Sequence, residues 1–421
     1  MTTDRTELTG WRRPLLGAQM LFVAFGALVL VPLLTGLDPN VALLTAGLGT
    51  LLFQVVTRGR VPVFLASSFA FIAPIIYGVE NFGLAETMSG LMAAGLFYVL
   101  LAAVIAIRGP SIVDRYLPPV VTGPVIIVIG LNLAPVAVNM ALGRTGDGGA
   151  ELFPMGQAVL VSMLALATTL AVSVWGRGLM KLIPILCGII VGYVTAFFLG
   201  MVSFQTVTTA GWVGLPPVLL PKFSWEAIAF MIPVAVAPAV EHIGDVVAIG
   251  GVTGKNYVKN PGLQRTMLGD GLATILASCL GGPPNTTYSE VTGAVALTRN
   301  FDPRIMTWAA VTAVVLGFVG KLGGLLQSIP TPVMGGIMVL LFGAIAAVGM
   351  GSLIRHRIDM GAPRNLAVVA ITLVFGIGGM VFQFGEYSMQ GIGLSAVVAV
   401  LLNAVLPTVP ALPRRDDDES E

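Results

Sequence analysis

The chain has 421 residues, of which 56% are hydrophobic and only 10% charged, and its mean hydropathy is +0.92. A soluble domain carries about 25% charged residues, so a soluble core cannot hide this much apolar surface, whereas a bilayer can. The formal net charge of +1 gives no reason to expect a nucleic-acid partner.

A helix crosses the hydrocarbon with roughly 20 mostly apolar residues. In chain order, membrane segments are predicted at 14–37, 40–56, 62–78, 86–107, 118–139, 155–174, 182–204, 224–250, 264–281, 286–298, 305–328, 331–352, 365–382 and 388–408. The first run is too long for the apolar stretch of a cleavable signal and lacks a convincing cleavage site. The two cysteines, Cys187 and Cys279, lie in apolar runs and read as small buried hydrophobes rather than a disulfide framework.

Charge placement tests this count. With a cytoplasmic N-terminus and alternating loops, all but three of the 22 basic residues fall on the inside. The exceptions are Arg144 and Lys222 outside and Lys321 within a segment. Cytoplasmic loops are enriched in Lys and Arg, and a miscounted segment would scramble the alternation. The reading is therefore an all-α polytopic membrane protein of fourteen segments in the inner (cytoplasmic) membrane, both termini cytoplasmic, with a solvated acidic tail at 409–421.

Pro119–Gly130 in segment 5 and Pro332–Gly343 in segment 12 share the pattern P-V-x-x-G-x₆-G at an offset of 213 residues. The shift is seven segments, an odd number, so the second unit enters from the opposite side. That is a 7+7 inverted-topology repeat, a usual build for secondary transporters. Segments 3 and 10 are the irregular ones and are also seven apart. Segment 3 begins with Val61-Pro-Val-Phe-Leu-Ala-Ser-Ser-Phe-Ala-Phe-Ile-Ala-Pro74, and segment 10 follows Gly281-Gly-Pro-Pro284 with Asn285-Thr-Thr-Tyr-Ser-Glu-Val-Thr-Gly293. Two short extended (β-like) pieces are predicted to meet at mid-membrane, each followed by a half-helix whose unpaired N–H groups face a ligand. The alternative is two kinked helices without a site.

Glu241, Asp245 and Glu290 lie inside predicted segments. An acid at the bilayer centre costs about 2.5–3.5 kcal/mol on insertion scales, so such groups face a cavity or a partner. Glu241 and Asp245 are four apart and share a helix face. Close carboxylates resist joint ionisation, which suits proton coupling; the alternative is that they only bond neighbouring helices. Asp270 and Lys321 read as a structural pair or as helix caps. His242 points off the face of Glu241 and reads as a packing residue. No Walker pattern indicates ATP drive, and no His/Cys cluster indicates a metal.

Taken with these residues, Glu241-His-Ile-Gly-Asp245, Asn285-Thr-Thr-Tyr-Ser-Glu290, Gly293-x₄-Thr298-Arg299, Ser67-Ser-Phe-Ala-Phe71, Pro261-Gly-Leu-x-Arg265 and Pro332-Val-Met-Gly-Gly336 resemble the nucleobase–ascorbate transporter (nucleobase–cation symporter 2) family, and within it the bacterial uracil permeases. The resemblance runs from about Gln19 to Leu402. It implies a core domain of segments 1–4 (14–107) and 8–11 (224–328) and a gate domain of segments 5–7 (118–204) and 12–14 (331–408). It also implies a homodimer packed through the gate domains, and proton-coupled uracil uptake without a cofactor.

By motif position, Glu241 accepts from the uracil N–H groups, and the backbone N–H groups of Phe71 and Ser289 donate to its carbonyls. Glu290 braces the site or contacts the ring, Tyr288 lines it, and Gln19 and Phe342 are further lining positions. Protons couple through Glu241 and Asp245. The chain departs from the family's usual pattern at Asp245 and Met20, where His is common, and at Phe342, where Tyr is common. It also departs at Ser289, where Gly is common, and at Val291 after Glu290. Tyr288 and Glu290 favour a pyrimidine, leaving a purine or xanthine permease, or an inorganic-anion transporter of the same fold, as alternatives.

Overall fold

The computed structural model describes residues 12–109, 117–384 and 387–407. Arg5, Arg115, Arg414, Arg415 and the tail at 409–421 lie outside the described residues. The first half contains α1 (Arg12–Thr35), α2 (Pro39–Val56), strand β1 (Leu65–Ser67), α3 (Ile72–Asn81), α4 (Leu84–Arg108), α5 (Pro119–Ala141), α6 (Met155–Trp175) and α7 (Pro184–Phe198). A short α8 (Gln205–Thr209) follows, then α9 (Trp225–Val234), α10 (Val236–Thr253), α11 (Leu263–Cys279), strand β2 (Asn285–Thr287) and α12 (Ser289–Thr298). The chain closes with α13 (Arg304–Gly317), α14 (Gly320–Gln327), α15 (Thr331–Arg355), α16 (Pro363–Ile377), the hairpin β3–β4 (Val381–Phe384, Tyr387–Gln390) and α17 (Gly391–Val405). Among the described residues, seven helices are long and apolar enough to cross a bilayer, counting α9 and α10 as one.

Proline starts many of these helices. Pro39, Pro119, Pro184, Pro332 and Pro363 stand at the first or second helical position, where the missing N–H costs nothing and the fixed φ suits the helix. At α2 the Asp38 carboxylate also accepts from the N–H groups of Asn40 at 2.8 Å and Val41 at 3.1 Å, a full N-cap.

Helix packing sorts into two groups and repeats itself. In one group α4 packs on α11 as α13 packs on α2, and α9 on α4 as α1 on α13. In the other, α6 packs on α7 as α16 on α17, and α15 on α6 and α7 as α5 on α16 and α17. Each statement turns into its partner when every segment is exchanged with the one seven places away.

The α5–α15 seam is its own image under this exchange and is the most extensive helix contact among the described residues. Glycines make it possible. A Cβ at Gly130 would stand 2.5 Å from the Phe342 carbonyl oxygen, one at Gly335 2.2 Å from the Ala141 nitrogen, and one at Gly336 2.1 Å from the Ser162 carbonyl oxygen on α6. The backbones touch directly, as small residues allow in membranes.

Segment 11 differs from its prediction. The helix ends at Gly317, Val319 is extended, and Lys321 sits on the separate α14. Four glycines between Gly317 and Gly324 weaken the helix there. Lys321 does not meet Asp270. Its Nζ donates to the carbonyls of Val207 and Thr208 at the end of α8, a cationic cap on a helix C-terminus.

The same two connections touch elsewhere. The Thr206 hydroxyl donates to Gly324 O at 2.9 Å, Val213 and Val319 form a β-bridge, and Gly214 N donates to Phe318 O at 3.1 Å. Lys222 bridges Glu86 at 2.8 Å, which raises the ammonium group's pKa. Replacing Lys321 with Ala removes its charge-assisted bonds and is expected to cost about 1.5 kcal/mol. A melting curve of the purified protein in detergent reads this as a lower midpoint; an unchanged midpoint contradicts it.

Candidate functional site

The site is built where the chain stops being helical. β1 and β2 pair antiparallel, Leu65 with Thr287, Ala66 with Thr286 and Ser67 with Asn285, and Ser68 N adds a bond to Pro284 O at 2.9 Å. These are the extended stretches of segments 3 and 10. Non-helical backbone at membrane depth is tolerated only when its polar groups find partners in protein, and here they do. Leu65 N donates to Thr50 Oγ1 at 2.9 Å, the Asn285 side chain to Thr45 O at 2.9 Å, and Thr274 Oγ1 to Asn285 O at 2.8 Å. The strand pair is thereby clamped between α2 and α11.

Each strand runs into a half-helix. After β1 a 3₁₀ turn, Phe69–Phe71, leads into α3. After β2 the extended Tyr288 leads into α12, whose first residue is Ser289. First-turn N–H groups of a helix have no partner within it, and Ser289 stands at that position. Phe71 N is only weakly engaged, with Ser68 O at 3.4 Å. The rings of Phe69 and Tyr288 lie 6.0 Å apart and join the two starts, and Tyr288 is buried with an unpartnered hydroxyl.

The acids gather beside this junction. Glu241 and Glu290 are solvent-exposed although other protein groups crowd around them, so both border a cavity open to solvent. Glu241 feels the charges of Asp245 and Glu290, so the three carboxylates share one neighbourhood. Asp245 is turned inward, 5% exposed, and Thr287 Oγ1 of β2 donates to its Oδ2 at 2.9 Å.

Two residues carry more than the sequence reading gave them. His242 is fully buried, packs edge-on against Phe53, and brings Nδ1 to 3.4 Å from Thr287 Oγ1 and 3.5 Å from Asp270 Oδ2. It is therefore part of a polar chain as well as a packing residue. Asp270 is also fully buried and closes no hydrogen bond of ordinary geometry, although the Thr286 hydroxyl and the Thr287 N–H stand beside it. The signal was available in part: His242 is three residues before Asp245, a helical neighbour. The third partner comes from α11 and no local spacing announces it.

The remaining candidates are less central. Phe71 is buried with Tyr98 and Ile75. Gln19 is half-buried on α1, which packs on α3, β1 and α12. Phe342 is buried in the same apolar cluster as Met20, Tyr288 and Val291.

Two half-helices beginning at a strand pair, with accessible acids inside a bundle of apolar helices, define a multi-pass membrane transporter. The model of the family described as "Permease family" (Xan_ur_permease) matches residues 13–384, and the chain belongs to that family. A probable uracil permease of Pasteurella multocida is 57% identical, over 96% of this chain and 95% of its own. A uracil permease of Bacillus caldolyticus is 46% identical over 97% and 94%, and that of Escherichia coli K12 is 36% identical over 94% and 92%. These relatives are transporters, not enzymes. In fold the chain is similar to the transmembrane domain of the cyanobacterial bicarbonate transporter BicA, with a TM-score of 0.65 and 16% identity over 93% of this chain and 98% of that one. It is also similar to the murine anion transporter Slc26a9, with a TM-score of 0.71 and 11% identity over 95% and 69%.

Proposed function

We propose that the protein imports uracil across the inner membrane by proton symport, moving a mid-membrane site between the two faces by an elevator-like displacement. In this reading fourteen segments form a 7+7 inverted repeat with both termini inside. Residues 14–107 and 224–328 are the moving core, and 118–204 and 331–408 are the gate through which two copies pair in the bilayer. The exchange symmetry of the helix packing supports the repeat, and the two packing groups support the division.

The observation that carries the substrate is the strand junction with Glu241 and Glu290 open to a cavity beside it. Uracil is a planar neutral ring that alternates N–H donors and carbonyl acceptors. Glu241 accepts from the ring N–H groups, the Phe71 and Ser289 amides donate to the carbonyls, and Glu290 and Tyr288 complete the wall. A site built to pair such groups rejects analogues that leave it unpaired. The relatives named uracil permeases support the same substrate. The anion transporters of similar fold share the scaffold only, and three carboxylates around the cavity disfavour an anion.

Proton coupling through Glu241 and Asp245 follows from moving buried charge, because a protonation event biases the two positions of the core only by its differential energy in each. The test is uptake of radiolabelled uracil into proteoliposomes, with and without an inward proton gradient. Uptake is expected to rise with the gradient and to be blocked by unlabelled uracil but not by xanthine. Competition by xanthine alone, or uptake indifferent to the gradient, refutes the respective part.

A further inference from the structure

We infer that His242 relays the coupling proton between Asp245 and a second buried acid, Asp270, through the hydroxyl of Thr287. The inference rests on the proton-coupled reading and adds to it a route and two residues.

A threonine hydroxyl has one proton and two lone pairs. Thr287 commits its proton to Asp245 Oδ2 at 2.9 Å, and in the tautomer that carries its proton on Nε2 the His242 ring turns a bare Nδ1 toward that hydroxyl at 3.4 Å. The same Nδ1 stands 3.5 Å from Asp270 Oδ2. One nitrogen thus reaches both ends of the route. The other ring nitrogen, Nε2, is buried without a partner, so the ring's hydrogen bonding is concentrated on Nδ1. Asp270, fully buried with both oxygens short of a hydrogen bond, has the capacity to receive.

A proton arriving on Asp245 turns that carboxylate into a donor. The carboxylic acid gives its proton to Thr287 Oγ1 while Thr287 gives its own to the bare His242 Nδ1, and the imidazolium so formed gives that same proton from Nδ1 to Asp270 Oδ2, 3.5 Å away. Asp245 ends ionised and Asp270 neutral, while Thr287 and His242 each keep one proton. No other reactant is needed, and return of the proton reverses every bond.

The charges around His242 come from several elements. Glu241 and Asp245 lie on its own helix α10 and Asp270 on α11. Glu290 on α12 acts on Asp245 and Glu241. Tyr98 on α4 and Tyr288 before α12 feel these acids. The ring of Phe53 on α2 closes the remaining side. The relay passes through β2, whose next residues carry the Ser289 amide, so the proton's position and the ligand-facing backbone are mechanically joined.

The experiment compares wild type, His242→Phe and Thr287→Val in proteoliposomes. It measures gradient-driven uracil accumulation as a function of pH, uracil counterflow without a gradient, and uracil binding to the purified protein. Wild-type accumulation indifferent to the gradient sinks the proton-coupled reading itself. With wild type coupled, both variants are expected to keep counterflow and binding within about twofold, to lose about tenfold in accumulation, and to show a flattened pH profile. The double variant is expected to be no worse than either single one. A variant that accumulates uracil with the wild-type pH profile overturns the relay. So does equal loss of counterflow, binding and accumulation, which marks a purely structural role. Thr287→Val nearly preserves side-chain shape and keeps the test open should His242→Phe fail to fold.

Discussion

Replacing Glu241 with Gln is expected to abolish gradient-driven uracil accumulation while leaving a folded transporter. The substitution preserves size, and Glu241 stands on a cavity wall with accessible surface, so no core packing is lost. What is lost is charge. A carboxylate accepting from ring N–H groups makes hydrogen bonds of about 1.5–3 kcal/mol each, whereas the amide offers one acceptor oxygen and turns two N–H donors toward a donor. Losing about 3 kcal/mol weakens uracil binding by about a hundredfold. The amide also cannot carry the coupling proton, so residual transport should no longer respond to pH. Uracil affinity by titration calorimetry and uptake with and without the gradient read the two losses separately. Retention of pH-driven accumulation in this variant removes Glu241 from the mechanism.

The second large effect is structural. Gly336→Val is expected to prevent folding of the α15 seam. A Cβ there would lie 2.1 Å from the Ser162 carbonyl oxygen, with further Ser162 backbone atoms at 2.8 and 2.9 Å. A flexible side chain could yield, but this neighbour is the main chain of α6. Overpacking typically costs about 1–3 kcal/mol and occasionally more; separating two helices in backbone contact belongs at or beyond the upper end. Size-exclusion profiles of a fluorescent fusion should show the folded peak reduced at least about fivefold. A wild-type profile would mean that α6 and α15 separate freely. Gly343, the repeat's second glycine, has nothing within 4 Å of its virtual Cβ, and Gly343→Ala serves as the control.

Much of this architecture was legible because a bilayer simplifies the code. Runs of apolar residues mark helices, and prolines such as Pro119 and Pro332 mark helix starts. The irregular stretches at 65–67 and 285–287 were legible for the same reason, since Pro62, Pro74, Pro283 and Pro284 interrupt the helical pattern around polar residues. The break at Val319 was missed because a glycine-rich apolar stretch is as compatible with one long helix as with two short ones. Lys321 inside that stretch was the clue, and its partners at Val207 and Thr208 lie on another element, invisible to local spacing. His242 and Asp270 were missed for a related reason. Their meaning depends on α10, α11 and β2 meeting at one point, and a sequence read in one dimension carries no sign of which distant polar groups will share it.

The two connections that carry α8 and α14 have a mechanical consequence. Each joins one packing group to the other, and they are fastened to each other by the Lys321 cap, the Thr206–Gly324 bond and the Val213–Val319 bridge. Two separate tethers would let one group tilt, twist and slide independently against the other. Two tethers fused into a bar restrict those freedoms, and in the displacement proposed above a shift at either connection is tied to a shift at the other.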